Sequence, residues 1–147
     1  MTDVVDKATR SRMMSGIKGK NTKPEILIRK HLYKKNFRYR LHSQEIPGKP
    51  DIVFNKYKAV IFIHGCFWHG HNCHLFKWPN TRPEFWKQKI EYNQLNDQKV
   101  LYELKKKNFR ICIVWECSLK GANKDIPGIL NKIENWLLGE VDFLEIM

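Results

Sequence analysis

Apolar side chains recur with helical spacing in three stretches of the chain. The first helix is expected from the motif Thr22-Lys23-Pro24-Glu25, a capping box with proline in its first turn, to about residue 35. A second capping box, Thr81-Arg82-Pro83-Glu84, predicts a long helix that ends near residue 107. A third, strongly amphipathic helix is expected from about residue 126 to residue 138, where Gly139 follows at the position of a C-terminal cap.

Shorter apolar runs predict strands between these helices. The alternating segment 37–41 predicts an edge strand, and the runs 51–54 and 58–63 predict a β-hairpin around a short polar turn. Residues 109–115 predict a buried strand. The order helix, three strands, helix, strand, helix is typical of a mixed central sheet flanked by helices, so we expect the α/β class. A chain of 147 residues fits one domain, residues 1–147, with one core.

The charge balance favours a polyanionic partner. The net charge is +12, and the first 50 residues hold 13 Lys and Arg against 4 Asp and Glu. Each cation that meets a phosphate releases a counterion, which makes nucleic acid the expected ligand. Residues 1–21 are accordingly expected to form a basic arm that contacts nucleic acid. The alternative is a solvated basic surface that only keeps the protein in solution.

Segments for membrane insertion or secretion are absent from the sequence. No window approaches the roughly 20 consecutive apolar residues of a membrane span, and the N-terminal residues carry no secretory signal. We therefore expect a cytoplasmic protein that contacts no membrane. Thiols stay reduced in that compartment, so the four cysteines are expected to be metal ligands or core residues rather than disulfides.

The segment Cys66-Phe67-Trp68-His69-Gly70-His71-Asn72-Cys73-His74 is dense in metal-binding side chains. A further cysteine follows the predicted strand 109–115, whose end could approach this segment. The resulting Cys₃His set suits a tetrahedral zinc site, and its members are Cys66, His71, Cys73 and Cys117. A site closed by four protein ligands is structural rather than catalytic. Cys112 lies within the apolar strand and is expected to be a core residue, and ordinary buried thiols are the alternative for the others.

Asp51 opens the first strand of the predicted hairpin. Nucleases commonly place acids at such strand ends to hold Mg²⁺ near the scissile phosphate, although a single Asp at a turn is often only a turn residue. The partner strand ends at His64, and the cysteine-rich segment then presents His69. This neighbourhood predicts a magnesium-dependent active site around Asp51.

Several motifs together resemble the very-short-patch repair (Vsr) family of DNA mismatch endonucleases. They are Asp6-Lys7-Ala8-Thr9-Arg10-Ser11, Pro47-Gly48-Lys49-Pro50-Asp51, Val60-Ile61-Phe62-Ile63-His64-Gly65-Cys66-Phe67-Trp68-His69, Phe85-Trp86 and Val114-Trp115-Glu116-Cys117. The resemblance runs from about residue 3 to residue 140 and implies a restriction-endonuclease-like fold. It also implies an enzyme that nicks one strand of double-stranded DNA 5′ to the thymine of a T·G mismatch, the product of 5-methylcytosine deamination.

The resemblance further implies a role for each matching residue. The catalytic group around the scissile phosphate would be Asp51, His64, His69, Glu25 and Asp97. Asp51 would bind Mg²⁺ with help from the backbone carbonyl of Ile63. The residues that would wedge into the base stack are Phe67, Trp68 and Trp86 from the major groove and Met14 and Ile17 from the minor groove. The implied zinc ligands are the Cys₃His set already derived from spacing.

The chemistry of these roles differs from that of most restriction-like nucleases. Such enzymes usually follow the metal-binding Asp with Glu-x-Lys on the next strand, whereas residues 62–64 here contain neither an acid nor a lysine. Water and phosphate oxygens would then complete the Mg²⁺ shell around Asp51, and histidine would act as charge stabiliser or general base. Asp97 on the long helix could orient His69. Glu25 could serve the capping box instead of the active site.

Two other functions remain open from the sequence. A zinc-stabilised nucleic-acid-binding module without catalysis would use the arm, the zinc and the aromatic residues equally well, but it has no use for Asp51, His64 and His69 together. A ββα-metal nuclease with a histidine base fits the predicted element order poorly. A monomer is expected because a single nick needs one active site, and other repair proteins are possible further partners.

Overall fold

The computed structural model describes residues 22–120 and 124–147. Its helices are α1 (Lys23–Lys34), α2 (Pro83–Lys106) and α3 (Ile126–Leu138), and its strands are β1 (Arg40–Leu41), β2 (Ile52–Phe54), β3 (Ala59–His64), β4 (Arg110–Trp115) and β5 (Phe143–Ile146). Short 3₁₀ turns follow β2 and β4, at Asn55–Tyr57 and Glu116–Leu119. The arm at 1–21, with Met14 and Ile17, lies outside the described residues.

The strands form one sheet in the order β1-β2-β3-β4-β5. The pairs β1–β2 and β2–β3 are antiparallel, and the pairs β3–β4 and β4–β5 are parallel. Helix α2 connects β3 to the parallel strand β4, which is the usual way to join parallel neighbours. The predicted mixed sheet of the α/β class is therefore confirmed.

Helices cover both faces of this sheet. On one face, residues of α1 and α3 such as Leu32 and Ile133 pack with Ile61 of β3. On the other face, Leu104 of α2 packs with Phe62. Successive strand residues point to opposite faces, so β3 contributes to both cores. The same alternation directs His64, two residues after Phe62, to the face covered by α2.

Two strand predictions differ from the structure. The predicted strand 37–41 is reduced to β1, because Phe37 turns into the core and packs edge-on against Phe54 at 6.3 Å. The edge strand β5 was not predicted, since it is short and Glu145 interrupts its apolar pattern. Glu145 accepts a hydrogen bond of 2.7 Å from the Trp115 indole N–H, which ties β5 to the end of β4.

The capping residues predicted from the sequence are found in part. Thr22 caps α1 as predicted, because its hydroxyl accepts a hydrogen bond from the backbone N–H of Glu25 at 3.4 Å. At α2 the predicted box is shifted: Arg82 is the N-cap, with a left-handed φ of 53° and no hydrogen bond from its own side chain to the helix end. Helix α3 is capped by Asp125, and Gly139 after it is extended rather than left-handed. Among the described residues, no helix is both long and apolar enough to cross a membrane.

Candidate functional site

The sequence-predicted acids and histidines meet at one edge of the sheet. Because β2 runs antiparallel to β3, Asp51 just before β2 lies beside the end of β3 at His64. A cleft of about 240 Å³ opens between this edge and helix α2. Its lining includes Asp51, His64, His69 and Asp97. Four of the five residues proposed for catalysis therefore share one cavity.

Asp51 is fixed in an environment that disfavours its charge. One carboxylate oxygen, Oδ2, accepts a hydrogen bond of 2.8 Å from the backbone N–H of Ile63. Burial raises the pKa of Asp51 to about 6, the Ile63 hydrogen bond opposes this rise, and the nearby Glu25 charge adds to it. A bound cation would offset the cost of this buried charge, so the carboxylate fits a metal ligand. The contact through the Ile63 carbonyl stays a prediction.

Two histidines stand face to face in the cleft. The rings of His64 and His69 stack with centroids 3.8 Å apart and an angle of 8° between their planes. Asp97 reaches His69 from α2, with 2.6 Å between Oδ2 and Nδ1. The short contact to a carboxylate places the proton on Nδ1, and the second ring nitrogen of His69 is then a base.

His64 differs from its neighbour in charge. Burial lowers its pKa to about 3, and the adjacent His69 lowers it further while Asp97 opposes the shift. Its Nδ1 atom is buried and has no hydrogen-bond partner within the described ranges. His64 is therefore neutral at ordinary pH, which leaves His69 as the histidine suited to move a proton.

Glu25 lies next to Asp51, although it comes from the start of α1. Its side chain is 2% exposed. His42 Nε2 lies 2.9 Å from each of its two carboxylate oxygens, and Arg29 Nη1 lies 2.8 Å from Oε2. Ligand atoms of Glu25, His42 and Asp51 all lie within 4.8 Å of one another. The predicted supporting acid is thus brought to the site, together with a histidine that the sequence did not indicate.

The four residues of the Cys₃His set converge. One ligand atom from each of Cys66, His71, Cys73 and Cys117 lies within 4.8 Å of all the others. Burial raises the pKa of Cys66 to about 12 and also raises that of Cys117. A cation that holds thiolates would offset this cost, and three sulfurs with one imidazole are the ligands that zinc prefers. The cluster could therefore hold a metal ion.

The remaining cysteine has a different role. Cys112 is fully buried in the core formed with α1 and α3, on the face of the sheet away from α2. Its burial among apolar side chains agrees with the prediction that it is a core residue.

The segment 66–73 is pressed against α2. Asn93 donates a hydrogen bond of 2.8 Å to the carbonyl of Trp68, and Gln94 donates one of 3.3 Å to that of His69. Gly70 has a left-handed φ of 62°, and a Cβ atom there would collide with the side chains of Ile90 and Gln94. The glycine allows this close approach, which carries His69 to Asp97.

Aromatic rings form a continuous surface beside the cleft. Phe67 lies 5.3 Å from both Trp68 and Trp86, and the two tryptophan rings are 5.8 Å apart. Further rings extend this group, and the aromatic surface as a whole consists of Phe67, Trp68, Phe76, Trp78, Phe85 and Trp86. Trp78 is 54% exposed and Phe85 is 43% exposed. The three wedge residues predicted from the sequence therefore pack together, half-buried, within a larger surface.

Comparisons with known proteins place the chain in a family. The family model described as "DNA mismatch endonuclease Vsr" matches residues 2–75. The DNA mismatch endonuclease Vsr of Escherichia coli K12 is 42% identical over 141 residues, which cover 95% of this chain and 90% of that protein. The type II nicking enzyme V.NmeAIP of Neisseria meningitidis serogroup A is 48% identical over 120 residues, or 82% of this chain and 86% of that protein. The chain belongs to the Vsr family.

Membership of the Vsr family agrees with the architecture. The type II nicking enzyme V.XorIIP of Xanthomonas oryzae pv. oryzae is a further relative, 41% identical over 81% of this chain and 88% of its own. The family implies a restriction-endonuclease-like fold, and the mixed sheet with helices on both faces is of that kind.

Sequence reasoning missed several residues around the site. His42 follows a two-residue strand and belongs to no motif, so its approach to Glu25, 17 positions away, had no local signal. Phe76 and Trp78 lie in an irregular segment on either side of a cationic residue, Lys77, and aromatic side chains combined with basic ones are typical of grooves that bind single-stranded nucleic acid. That interleaving of aromatic and basic residues was the one available signal.

Proposed function

We propose that the chain is a DNA mismatch endonuclease that nicks one strand of duplex DNA 5′ to the thymine of a T·G mispair, and so initiates very-short-patch repair. The observation that carries the proposal is the cleft in which Asp51 faces the Asp97–His69 pair, in a member of the Vsr family. A binding module without catalysis would not need these groups in one cavity. The direct test is Mg²⁺-dependent nicking of a T·G duplex, with matched T·A and C·G duplexes as controls.

The oxygen ligands at the sheet edge suit Mg²⁺. Asp51, with the backbone carbonyl of Ile63, would hold the ion, and Glu25 would support it from the adjacent position. When bound, Mg²⁺ supplies charge stabilisation to the phosphate oxygens during phosphodiester hydrolysis. The chain itself fixes the carboxylate through the Ile63 N–H, so the ligand does not have to be ordered on binding.

His69 is the proposed proton-transfer group. Asp97 holds its Nδ1 proton, which orients the ring and leaves Nε2 to accept a proton from the attacking water. The neutral ring of His64 stacks on His69 and limits its rotation. We propose that His64 lies beside the scissile phosphate and that its ring stays neutral during the reaction.

The Cys₃His cluster is the proposed structural zinc site. Three of its ligands lie in the segment 66–73, and the fourth, Cys117, follows β4. That segment also carries His69 and two rings of the aromatic surface. Zinc would therefore position the proton-transfer group and the mismatch reader at once.

The aromatic surface is the proposed mismatch reader. Apolar side chains that enter a base stack favour mispairs, because a mispair unstacks at lower cost than a matched pair. Phe67, Trp68 and Trp86 would wedge from the major groove, and Met14 and Ile17 of the arm from the minor groove. We propose that residues 1–147 act as one domain and as a monomer, with the arm at 1–21 contacting the phosphates.

Asp97→Asn is expected to lower kcat for nicking by about 10²–10⁴-fold with little change in DNA affinity. An amide donates as well as accepts, so it no longer fixes the His69 tautomer or stabilises its protonated form. Single-turnover nicking and fluorescence anisotropy on the T·G duplex measure the two effects. Gln98→Ala, an exposed position next to it on α2, is the control and should keep the wild-type rate. A normal rate for Asp97→Asn would remove Asp97 from the mechanism.

Trp68→Ala is expected to weaken binding to a T·G duplex by about one to two decades, since base–aromatic stacking is worth roughly 1–3 kcal/mol. Binding to matched DNA should change less, because it rests mainly on phosphate contacts. Removal of residues 1–21 should instead weaken both duplexes and flatten the salt dependence. Titrations of both variants at two salt concentrations separate these effects. Equal losses on both duplexes for Trp68→Ala would mean that the mismatch is read elsewhere.

A further inference from the structure

The hydrogen bonds around Glu25 form a network that the proposed mechanism does not use. His42 Nε2 lies 2.9 Å from both oxygens of the Glu25 carboxylate, and Arg29 Nη1 lies 2.8 Å from one of them. An ionised carboxylate only accepts hydrogen bonds, so His42 Nε2 carries a proton and donates it. A carboxylate on a side chain that is only 2% exposed needs such donors, because burial removes its water.

His42 also contacts the other acid of the site. Its backbone N–H donates a hydrogen bond of 3.1 Å to the carbonyl of Asp51. The residue has a left-handed φ of 50°, a backbone conformation that residues other than glycine rarely adopt unless their surroundings impose it. One residue therefore binds Glu25 through its ring and Asp51 through its backbone.

We propose that His42 is a positioning residue that holds the Glu25 and Asp51 carboxylates side by side for the divalent cation. The proposal rests on the nuclease function stated above and names the residue that pre-arranges the two acids of its metal site. Two carboxylates within 4.8 Å of one another repel, and the imidazole N–H on Glu25 counteracts that repulsion.

The His42 nitrogen that donates to Glu25 cannot also bind the cation. With its proton in place, Nε2 has no lone pair left for a metal. Arg29 bonds Oε2 of Glu25, and His42 lies within hydrogen-bond distance of both carboxylate oxygens. Loss of the imidazole would therefore remove a donor centred between the two oxygens and loosen the orientation of the carboxylate toward Asp51.

The test compares His42→Ala with His42→Gln in the full-length, zinc-loaded protein. Glutamine keeps a side-chain N–H that can donate to Glu25, whereas alanine does not. His31→Ala is the matched control, because His31 of the same helix as Glu25 also bonds a glutamate, but that glutamate is Glu134 of α3, at 3.2 Å. Two quantities are measured: the Mn²⁺ dissociation constant by electron paramagnetic resonance, with Asp51→Ala as the blank, and the Mg²⁺ concentration that half-saturates nicking.

The expected result is a rise of about 10–100-fold in both quantities for His42→Ala, the usual range for loss of a residue that orients a metal ligand. His42→Gln should recover most of this loss, and His31→Ala should change neither quantity. A purely structural role of His42 would lower the stability of His42→Ala and leave its metal dependence unchanged, which would overturn the proposal. Metal affinity that stays equally low in His42→Gln would also overturn it, since the imidazole would then be a direct ligand.

The test of the positioning role of His42 can be distinguished from the test of the proposed nuclease function. If the wild-type protein binds Mn²⁺ through Asp51 but does not nick the T·G duplex, the substrate assignment fails. The Mn²⁺ affinities of the His42 variants then decide the positioning role without any measurement of cleavage.

Discussion

Asp51→Asn is expected to abolish nicking and, at neutral pH and without metal, to make the protein more stable. The amide oxygen can still accept the hydrogen bond from the Ile63 N–H, so the local backbone should be retained. The negative charge that holds Mg²⁺ is lost, and the rate should fall by several orders of magnitude while DNA binding stays nearly intact. A charge that burial makes costly is removed at the same time.

The pH dependence of this stability difference has a definite sign. The pKa of Asp51 is raised from 3.8 to about 6 in the folded protein, so the folded state binds its proton more tightly than the unfolded chain does. The stability that this contributes is complete below pH 3.8 and is lost as the pH rises through about 6. At neutral pH the loss amounts to at most about 3 kcal/mol.

Thermal melting of metal-free protein across pH tests this prediction. At pH 7.5 Asp51→Asn should melt a few degrees above wild type, since 1 kcal/mol corresponds to about 2–4 °C in a domain of this size. The difference should vanish near pH 4. Addition of Mg²⁺ to the DNA complex should raise the melting temperature of wild type further but not that of the variant. An active Asp51→Asn protein would show that Asp51 is not the metal ligand.

The sequence predicted those parts of the fold that have local causes. The 3.6-residue period of α3 and the capping by Thr22 depend on neighbours within one or two turns, and both appear where they were expected. Strand β5 could not be predicted in the same way. It is stabilised by pairing with β4 and by the hydrogen bond from Trp115 to Glu145, partners 30 residues away along the chain.

The candidate site likewise combines features with local causes, which the sequence predicted, and features that depend on the tertiary fold. Cys66, His71 and Cys73 are close in sequence, and their chemistry alone predicted a metal cluster. The contact of Asp97 with His69 depends on how α2 packs across the sheet, so the sequence offered it only as a possibility. The approach of His42 to Glu25 requires a tertiary contact between two elements with no shared motif, and no pattern along the chain indicated it.

Cys73→Ala is expected to lose the bound zinc, most of the nicking activity and much of the stability of the protein. Structural zinc sites contribute about 10–16 kcal/mol of binding free energy in isolated zinc-finger peptides, and removal of one thiolate forfeits a large share of it. Here the segment 66–73 also packs against α2, so the core formed by β3, β4 and α2 should remain folded. The released segment carries His69 and Trp68, and both catalysis and mismatch discrimination should therefore decline together.

Cys112→Ala separates loss of zinc from loss of a buried thiol. Cys112 is fully buried but lies in the core on the other face of the sheet, so this variant should keep one zinc per chain and lose only roughly 1–2 kcal/mol of stability. Elemental analysis of the purified proteins, thermal melting and nicking of the T·G duplex measure the three effects. Chelation of wild type should reproduce the Cys73→Ala result, and zinc should reverse it. Folded, active wild-type protein without zinc would refute the assignment, because a segment that stays in place without metal owes its position to its packing contacts and not to the ion.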